Sequence, residues 1–329
     1  PNILTKVRQI LVPFQHLKVG SRVHLKSRRS QKYTQIPQTY TDQFIFQGPV
    51  LWENYNLNIQ SNLPLQLMVS GRGDEFDIQS SENGNYRIQL KKPLSFFQVD
   101  ESENSILEPE SIPSIFITTE RDYLRGANIQ AKKYEEVISQ EFPEKLNKIY
   151  EEAKLIEGEV EKVEFVVSQI IKSFHYLSSC NTIEGHLEPR ALSEIAAVGY
   201  ADCKEYSAML SAILRKLGFK ANVAVVQREP LYLPLPNEFQ KQNMLGLTNH
   251  AIVKAESPSG QVYWLDPTNP ISMVSGIHRD IAGRPAFVLR VEDSTYESIT
   301  KDWYFDPAIT KAIHVDIRYM LWIMKEVDR

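Results

Sequence analysis

The hydrophobic pattern of this chain changes period once, and that change sets what it can fold into. Over the first hundred residues the apolar positions come in short stretches, such as Tyr40 to Phe46, Leu65 to Ser70 and Tyr86 to Leu90, separated by Gly, Pro, Asn and Asp. Stretches of this kind read as strands. Asn83-Gly84-Asn85, between Phe76–Gln79 and Tyr86–Leu90, has the composition of a hairpin turn needing positive φ. From about Tyr134 the period becomes 3.6. Val160, Val163, Val167, Ile170, Ile171 and Phe174 fall on one stripe, which predicts an amphipathic helix over 159–174. Pro189 is placed to open a short helix ending near Gly199. Strands are expected at Asn222–Gln227, His250–Ala255, Gln261–Asp266 and Ala286–Arg290. Helices followed by strands, without βαβ alternation, predict an α+β core.

The expected organisation is a β-rich, sandwich-like N-terminal unit with its connecting segment over 1–155, then the α+β core over 156–295. Residues 296–329 start strand-like and would be the root of a further β domain. Residues 100–114, with five acids and two prolines, read as a polar connection. The chain begins on Pro1 rather than Met, which leads us to expect a trimmed sequence.

Charge narrows the partners. The net charge of −4 gives no global basic field for nucleic acid. Locally, residues 1–41 hold eight Lys or Arg and no acid, whereas 135–164 hold ten Glu. The basic arm over 1–32 reads either as a contact for an anionic surface or as a solvated strand edge. The longest apolar run, Tyr319 to Met324, is far short of the ~20 residues of a transmembrane helix, so no transmembrane segment is expected.

The chemistry-bearing stretch runs from Gly199 to Gly218. Asp202 is a good N-cap, Glu205 completes a capping box, and Gly218 is the expected stop. Cys203 therefore falls in the first turn of a buried helix, where N–H groups and partial positive charge favour a thiolate and can hold an oxyanion. Asp202 opposes that effect and Lys204 partly offsets it. Downstream, His250 opens one expected strand and Asp266 closes the next, with Glu256-Ser257-Pro258-Ser259-Gly260 as the turn. A hairpin centred on Pro258 would make His250 and Asp266 a direct cross-strand pair, with Ile252 opposite Trp264 as an apolar floor. Thiol, imidazole and carboxylate together make an activated-cysteine arrangement. The competing reading of each is a packed residue without chemistry.

Gly-Tyr-Ala-Asp-Cys203-Lys-Glu, Asn-His250-Ala and Tyr-Trp-Leu-Asp266-Pro together resemble the core of the transglutaminase-like superfamily, over about 160–290. Within it the match is to bacterial proteins with a β-rich N-terminal domain. The resemblance implies a papain-like core in which Cys203 is the nucleophile, His250 the base and Asp266 the orienting acid. It also implies a peptide or protein amide substrate and mildly favours the periplasm or cell envelope. Where the group often has an aromatic after His-Ala, this chain has Ile252; Asp-Cys-Lys-Asp is here Asp-Cys-Lys-Glu. Tyr176 and Tyr200 are candidate oxyanion donors, and Trp264 and Asn249 candidate site-lining residues. No metal or organic cofactor is expected. A zinc site from Cys180, His186, Cys203 and His250 would match no common ligand spacing, and a Cys180–Cys203 bridge would silence or regulate the thiol. Pro230 to Gly246 is long enough for a loop beside the site. The alternative function is a binding or scaffold protein that keeps the fold without turnover.

Overall fold

The structure, a computed structural model, describes residues 11–28, 30, 34, 36–46, 48–70, 73–81, 84–96, 113–120, 122–177, 188–228, 248–269, 276–278 and 280–299. Cys180, His186 and the 230–246 segment lie outside the described residues. Residues 11–28 are exposed throughout, so the cations of this part of the basic arm stand in solvent.

The first unit contains β1 (Thr41–Ile45), β2 (Gly48–Trp52), β3 (Asn56–Ile59), β4 (Gln66–Ser70), β5 (Phe76–Ser80), β6 (Tyr86–Leu90), β7 (Leu94–Phe96) and β8 (Ser114–Thr118). Among the described residues they pair as β1-β8-β4, β3-β6-β5 and β2-β7. Phe46, Phe76, Ile88, Leu94, Ile115 and Ile117 bring all three small sheets onto one apolar cluster. Gly84, at φ 72°, supplies the positive φ expected between β5 and β6.

Next come α1 (Tyr123–Ile138), α2 (Glu144–Lys154), α3 (Glu159–Ser173), β9 (His175–Tyr176), α4 (Leu192–Val198), β10 (Tyr200–Ala201) and α5 (Cys203–Lys216). The stripe predicted for α3 buries Val163, Val167 and Ile170 together with Val166, while Val160, in the first turn, stays partly exposed. α4 starts at Leu192, three residues after Pro189, and stops at Gly199 with φ 76°. Composition groups α1 and α2 with the N-terminal unit, but both pack in the same cluster as α5. The Glu run masks this: α2 keeps Leu146, Ile149 and Ala153 buried on its inner face while its glutamates point elsewhere.

The core closes with β11 (Lys220–Val226), β12 (His250–Glu256), β13 (Val262–Leu265), β14 (Pro285–Val288) and β15 (Thr295–Ser298), in the antiparallel order β13-β12-β11-β14-β15. β15 thus joins residues 295–298 to the core sheet. Alternation divides the side chains cleanly. Val223, Val225, Ala251, Val253 and Leu265 join the cluster that contains α5. Ala224, Val226, Ile252, Trp264 and Val288 face the other way, against Ile277 and Ile281.

The β12–β13 hairpin corrects the expected register. Its loop is Pro258-Ser259-Gly260: the Gly260 N–H donates to the Ser257 carbonyl, the Ser257 N–H to the Gln261 carbonyl, each at 2.9 Å, and Gly260 takes φ 91°. This is a turn followed by a left-handed residue, the common three-residue hairpin loop. It centres the pairing on Ser259 rather than Pro258, so Trp264 faces Lys254, and the register continued one step places Asp266 beside Ile252. The shift is two residues, so every side chain keeps its predicted face. A Cβ at Gly260 would meet nothing within 4 Å. Gly260→Ala should therefore cost about 1 kcal/mol through backbone strain alone, read as a lower urea midpoint with an unchanged m-value.

Candidate active site

α5 is buried along most of its length, charged first turn included: Lys204, Glu205 and every residue from Tyr206 to Leu214 are buried. A helix start placed there must satisfy its own N–H groups. Asp202 accepts from the Glu205 N–H at 3.4 Å and Glu205 reaches back to the Asp202 N–H at 3.1 Å, forming the predicted capping box. Lys204 ion-pairs with Asp202. Arg190 donates to Glu205 through Nε at 2.5 Å and through its terminal nitrogen at 2.8 Å. The same guanidinium donates to the Tyr200 carbonyl at 2.9 Å and lies 4.8 Å from the Tyr200 ring. Tyr200 is thus stacked beneath Arg190.

Cys203, the first residue of α5, is buried. Tyr134 of α1 borders the same turn: burial, then Cys203, Asp202 and Glu205, push its phenol well above the ordinary range. The sequence reading missed Tyr134, although its place on the apolar stripe of α1 carried the signal. At its other end α5 closes with the Phe219 N–H donating to Leu214 and the Gly218 N–H to Arg215, both at 3.0 Å. That sharp stop folds β11 back along the helix. Fourteen helical residues span about 21 Å, and seven strand residues about 23 Å. Helix and following strand are thus matched in length, and α5 packs along β11 and β12.

His250, which opens β12, meets Asp266. His250 Nε2 lies 2.9 Å from Asp266 Oδ2, with both side chains buried. Asp266 Oδ1 accepts from the Thr268 N–H at 3.0 Å and the Thr268 hydroxyl at 2.7 Å. Burial alone would raise this carboxyl, but His250, then Thr268 and Arg228, hold it below the usual carboxylate range. Nε2 is the ring nitrogen engaged by Asp266.

Arg228 is the residue the sequence did not announce. Its guanidinium NH1 lies 3.5 Å from His250 Nε2 and 3.7 Å from Asp266 Oδ2, and its Nε donates to Asp280 Oδ2 at 2.6 Å. Burial works against its charge; Asp280 and then Asp266 outweigh that and keep the guanidinium firmly protonated. Asn249 grips the Arg228 main chain from both sides, accepting from its N–H at 2.6 Å and donating to its carbonyl at 2.8 Å. Tyr176 links the two halves: it lies edge-on to Tyr206 of α5 at 5.6 Å and is close enough to Arg228 to act on its charge. Trp264 sits under Lys254, whose Nζ is 5.5 Å from the ring. The structure thus brings His250 and Asp266 into contact and sets Arg228 and Asn249 beside them, while Cys203 opens the helix that packs on the same sheet. Among the described residues, no group of three or more His, Cys, Asp or Glu is arranged to hold a metal. No helix among them is long and apolar enough to cross a membrane.

The fold resembles that of a candidate protease from Parabacteroides distasonis, at a TM-score of 0.58 and 14% identity, over 81% of this chain and 48% of that one. A candidate cysteine protease from Cytophaga hutchinsonii covers 81% of this chain at 16% identity, but its TM-score of 0.30 does not establish a shared fold. In sequence, residues 288–329 match the model of Peptidase S46, a serine peptidase family. A curated Asp/Glu-specific dipeptidyl-peptidase from Shewanella putrefaciens is 72% identical over 36 residues, which is 11% of this chain and 5% of that protein. The chain thus spans about half of the Parabacteroides protein and a twentieth of the curated peptidase. The S46 match begins at Val288 and contains none of Cys203, His250 and Asp266.

Asp266 also makes a pH prediction. Its folded carboxyl lies below the unfolded value of about 3.9. Its stabilisation is therefore complete above that value and lost as pH falls through the folded one. Urea unfolding of the native chain against Asp266→Asn should show a stability gap at neutral pH that shrinks below about pH 4.

Proposed function

We propose that this chain is a cysteine acyltransferase or hydrolase acting at amide carbonyls, with Cys203 as nucleophile, His250 as base and Asp266 as the group that orients His250. The observation that carries the reading is the buried His250–Asp266 hydrogen bond, on the sheet against which the helix that starts at Cys203 packs. Fold similarity to a candidate protease supports an enzyme of the peptidase kind.

The chemistry follows from the groups present. His250 Nδ1 takes the thiol proton, and Asp266 holds Nε2–H and steadies the imidazolium. Cys203 Sγ then bonds to the carbonyl carbon of a peptide or glutamine side-chain amide, and the carbonyl π pair moves onto oxygen. The N–H groups at the start of α5 favour that oxyanion. When the oxyanion collapses, the C–N bond breaks and the amine or ammonia leaves with the proton from His250, which gives a thioester. Water or a second amine then takes the acyl group and returns the thiol. Tyr176, half-exposed and edge-on to Tyr206, is the better placed of the two tyrosine donors, since Tyr200 is held under Arg190.

The test is the rate of iodoacetamide alkylation at Cys203 against pH, in the native chain and in His250→Ala, with the site read by mass spectrometry. Fast labelling that persists well below about pH 8, where an ordinary thiol is protonated, and that falls at least tenfold in the variant is the expected result. An ordinary thiol profile unchanged by the substitution would leave the fold as a binding module.

A further inference from the structure

Arg228 stands where a cation ought to do harm. It is within 3.7 Å of Asp266 Oδ2, the oxygen that holds His250 Nε2 at 2.9 Å. Charge-assisted N–H···O contacts close to about 2.8 Å when free to do so, and here the guanidinium has not closed. The reason is on the other side of it: Asp280, buried beneath the same face, accepts from Arg228 Nε at 2.6 Å. His278 Nδ1 lies 2.9 Å from Asp280 Oδ1 in ion-pair range, but that oxygen has no aligned hydrogen-bond donor. The Arg228 main chain is fixed by Asn249, and that of its neighbour Gln227 by Arg284, which donates to the Gln227 carbonyl at 2.9 Å. The main chain that carries the guanidinium is thus held in place, and the guanidinium lies between two carboxylates.

We propose that Asp280 and Arg228 form a positioning pair for the His250–Asp266 pair, in which Asp280 draws the guanidinium aside so that Asp266 stays committed to His250. The proposal rests on the catalytic reading above for its meaning, but its geometry does not involve the thiol. Arg228 keeps Asp266 charged from a distance; Asp280 keeps Arg228 from competing for Oδ2. Removing the anchor should therefore be worse than removing the cation, because Asp266 is, among the described residues, the carboxylate an unanchored Arg228 has left to close on.

The experiment is a double-mutant cycle on the full chain, read by Cys203 alkylation and by the Nε2-bound imidazole proton of His250 in NMR. Arg228→Gln should slow alkylation no more than about threefold, and Asp280→Asn about tenfold, within the coupling expected in one hydrogen-bond network. The double variant should return to within about threefold of native, and the downfield Nε2 proton, weakened in Asp280→Asn, should return with it. If the double variant is as slow as Asp280→Asn, or if Arg228→Gln alone abolishes the Nε2 signal, the proposal is wrong. Should Asp280→Asn not fold, Asp280→Glu, which displaces the anchor by one methylene, must show a smaller loss that Arg228→Gln again relieves. Native alkylation that ignores His250 would sink the catalytic reading alone, since the Nε2 signal still decides the positioning pair.

Discussion

A helix buried at its charged first turn has to carry its own counter-charges, and that requirement organises the centre of this molecule. Asp202 and Glu205 are needed to cap α5, and both are buried. Two uncompensated carboxylates there would cost several kcal/mol. Lys204 answers the first and Arg190 the second. Because Arg190 also holds the Tyr200 carbonyl, the same ion pair fixes β10, and β10 pairs in parallel with β9. β9 brings Tyr176 against Tyr206, and the Tyr206 hydroxyl donates to the Phe174 carbonyl at the end of α3. The cap of one helix thereby sets the place of three neighbouring elements.

The sequence made the elements legible where local chemistry decides them. The capping box, the Gly218 stop, the stripe of α3 and the pairing of His250 with Asp266 on one face all follow from spacing alone. The hairpin shows the limit. A loop centred on Pro258 and one centred on Ser259 fit the same residues, and what separates them is Gly260 entering the left-handed region. Spacing does not show that a glycine will spend its freedom there. The error was harmless because both loops hold an odd number of residues and so preserve parity; a two-residue loop would have turned His250 and Asp266 to opposite faces.

What the sequence could not announce are contacts between side chains far apart in the chain. Arg228 and Asp280 are separated by fifty-two positions and come together only because the segment before β14 covers the face that β11 presents. Asn249, read as lining the site, clamps the Arg228 backbone. The helices α1 and α2 were hidden differently: the run of glutamates that begins at the end of α1 and continues through α2 marks the composition while the inner faces of both helices join α5. The tail adds a separate relationship. Residues 288–329 follow a serine peptidase family, yet the fold similarity spans most of the chain. One short match of that kind transfers no chemistry to a cysteine more than eighty residues upstream.

The charge balance around Cys203 decides which group controls its acidity. Asp202 and Glu205 oppose a thiolate, and on the α1 side burial first, and then the charges of this turn, raise the phenol of Tyr134. Lys204 pairs with Asp202 and Arg190 with Glu205 within the first turn. What remains is the partial positive charge of the helix start, worth at most ~2 kcal/mol in partly buried geometry, and whatever an imidazolium adds. In the proposed mechanism the first turn of α5 prepares the cysteine and His250 supplies the remaining charge. On that reading the chemistry depends on the hydrogen bond that orients this imidazole, and so on the proposed positioning groups Arg228 and Asp280 that keep Asp266 committed to it.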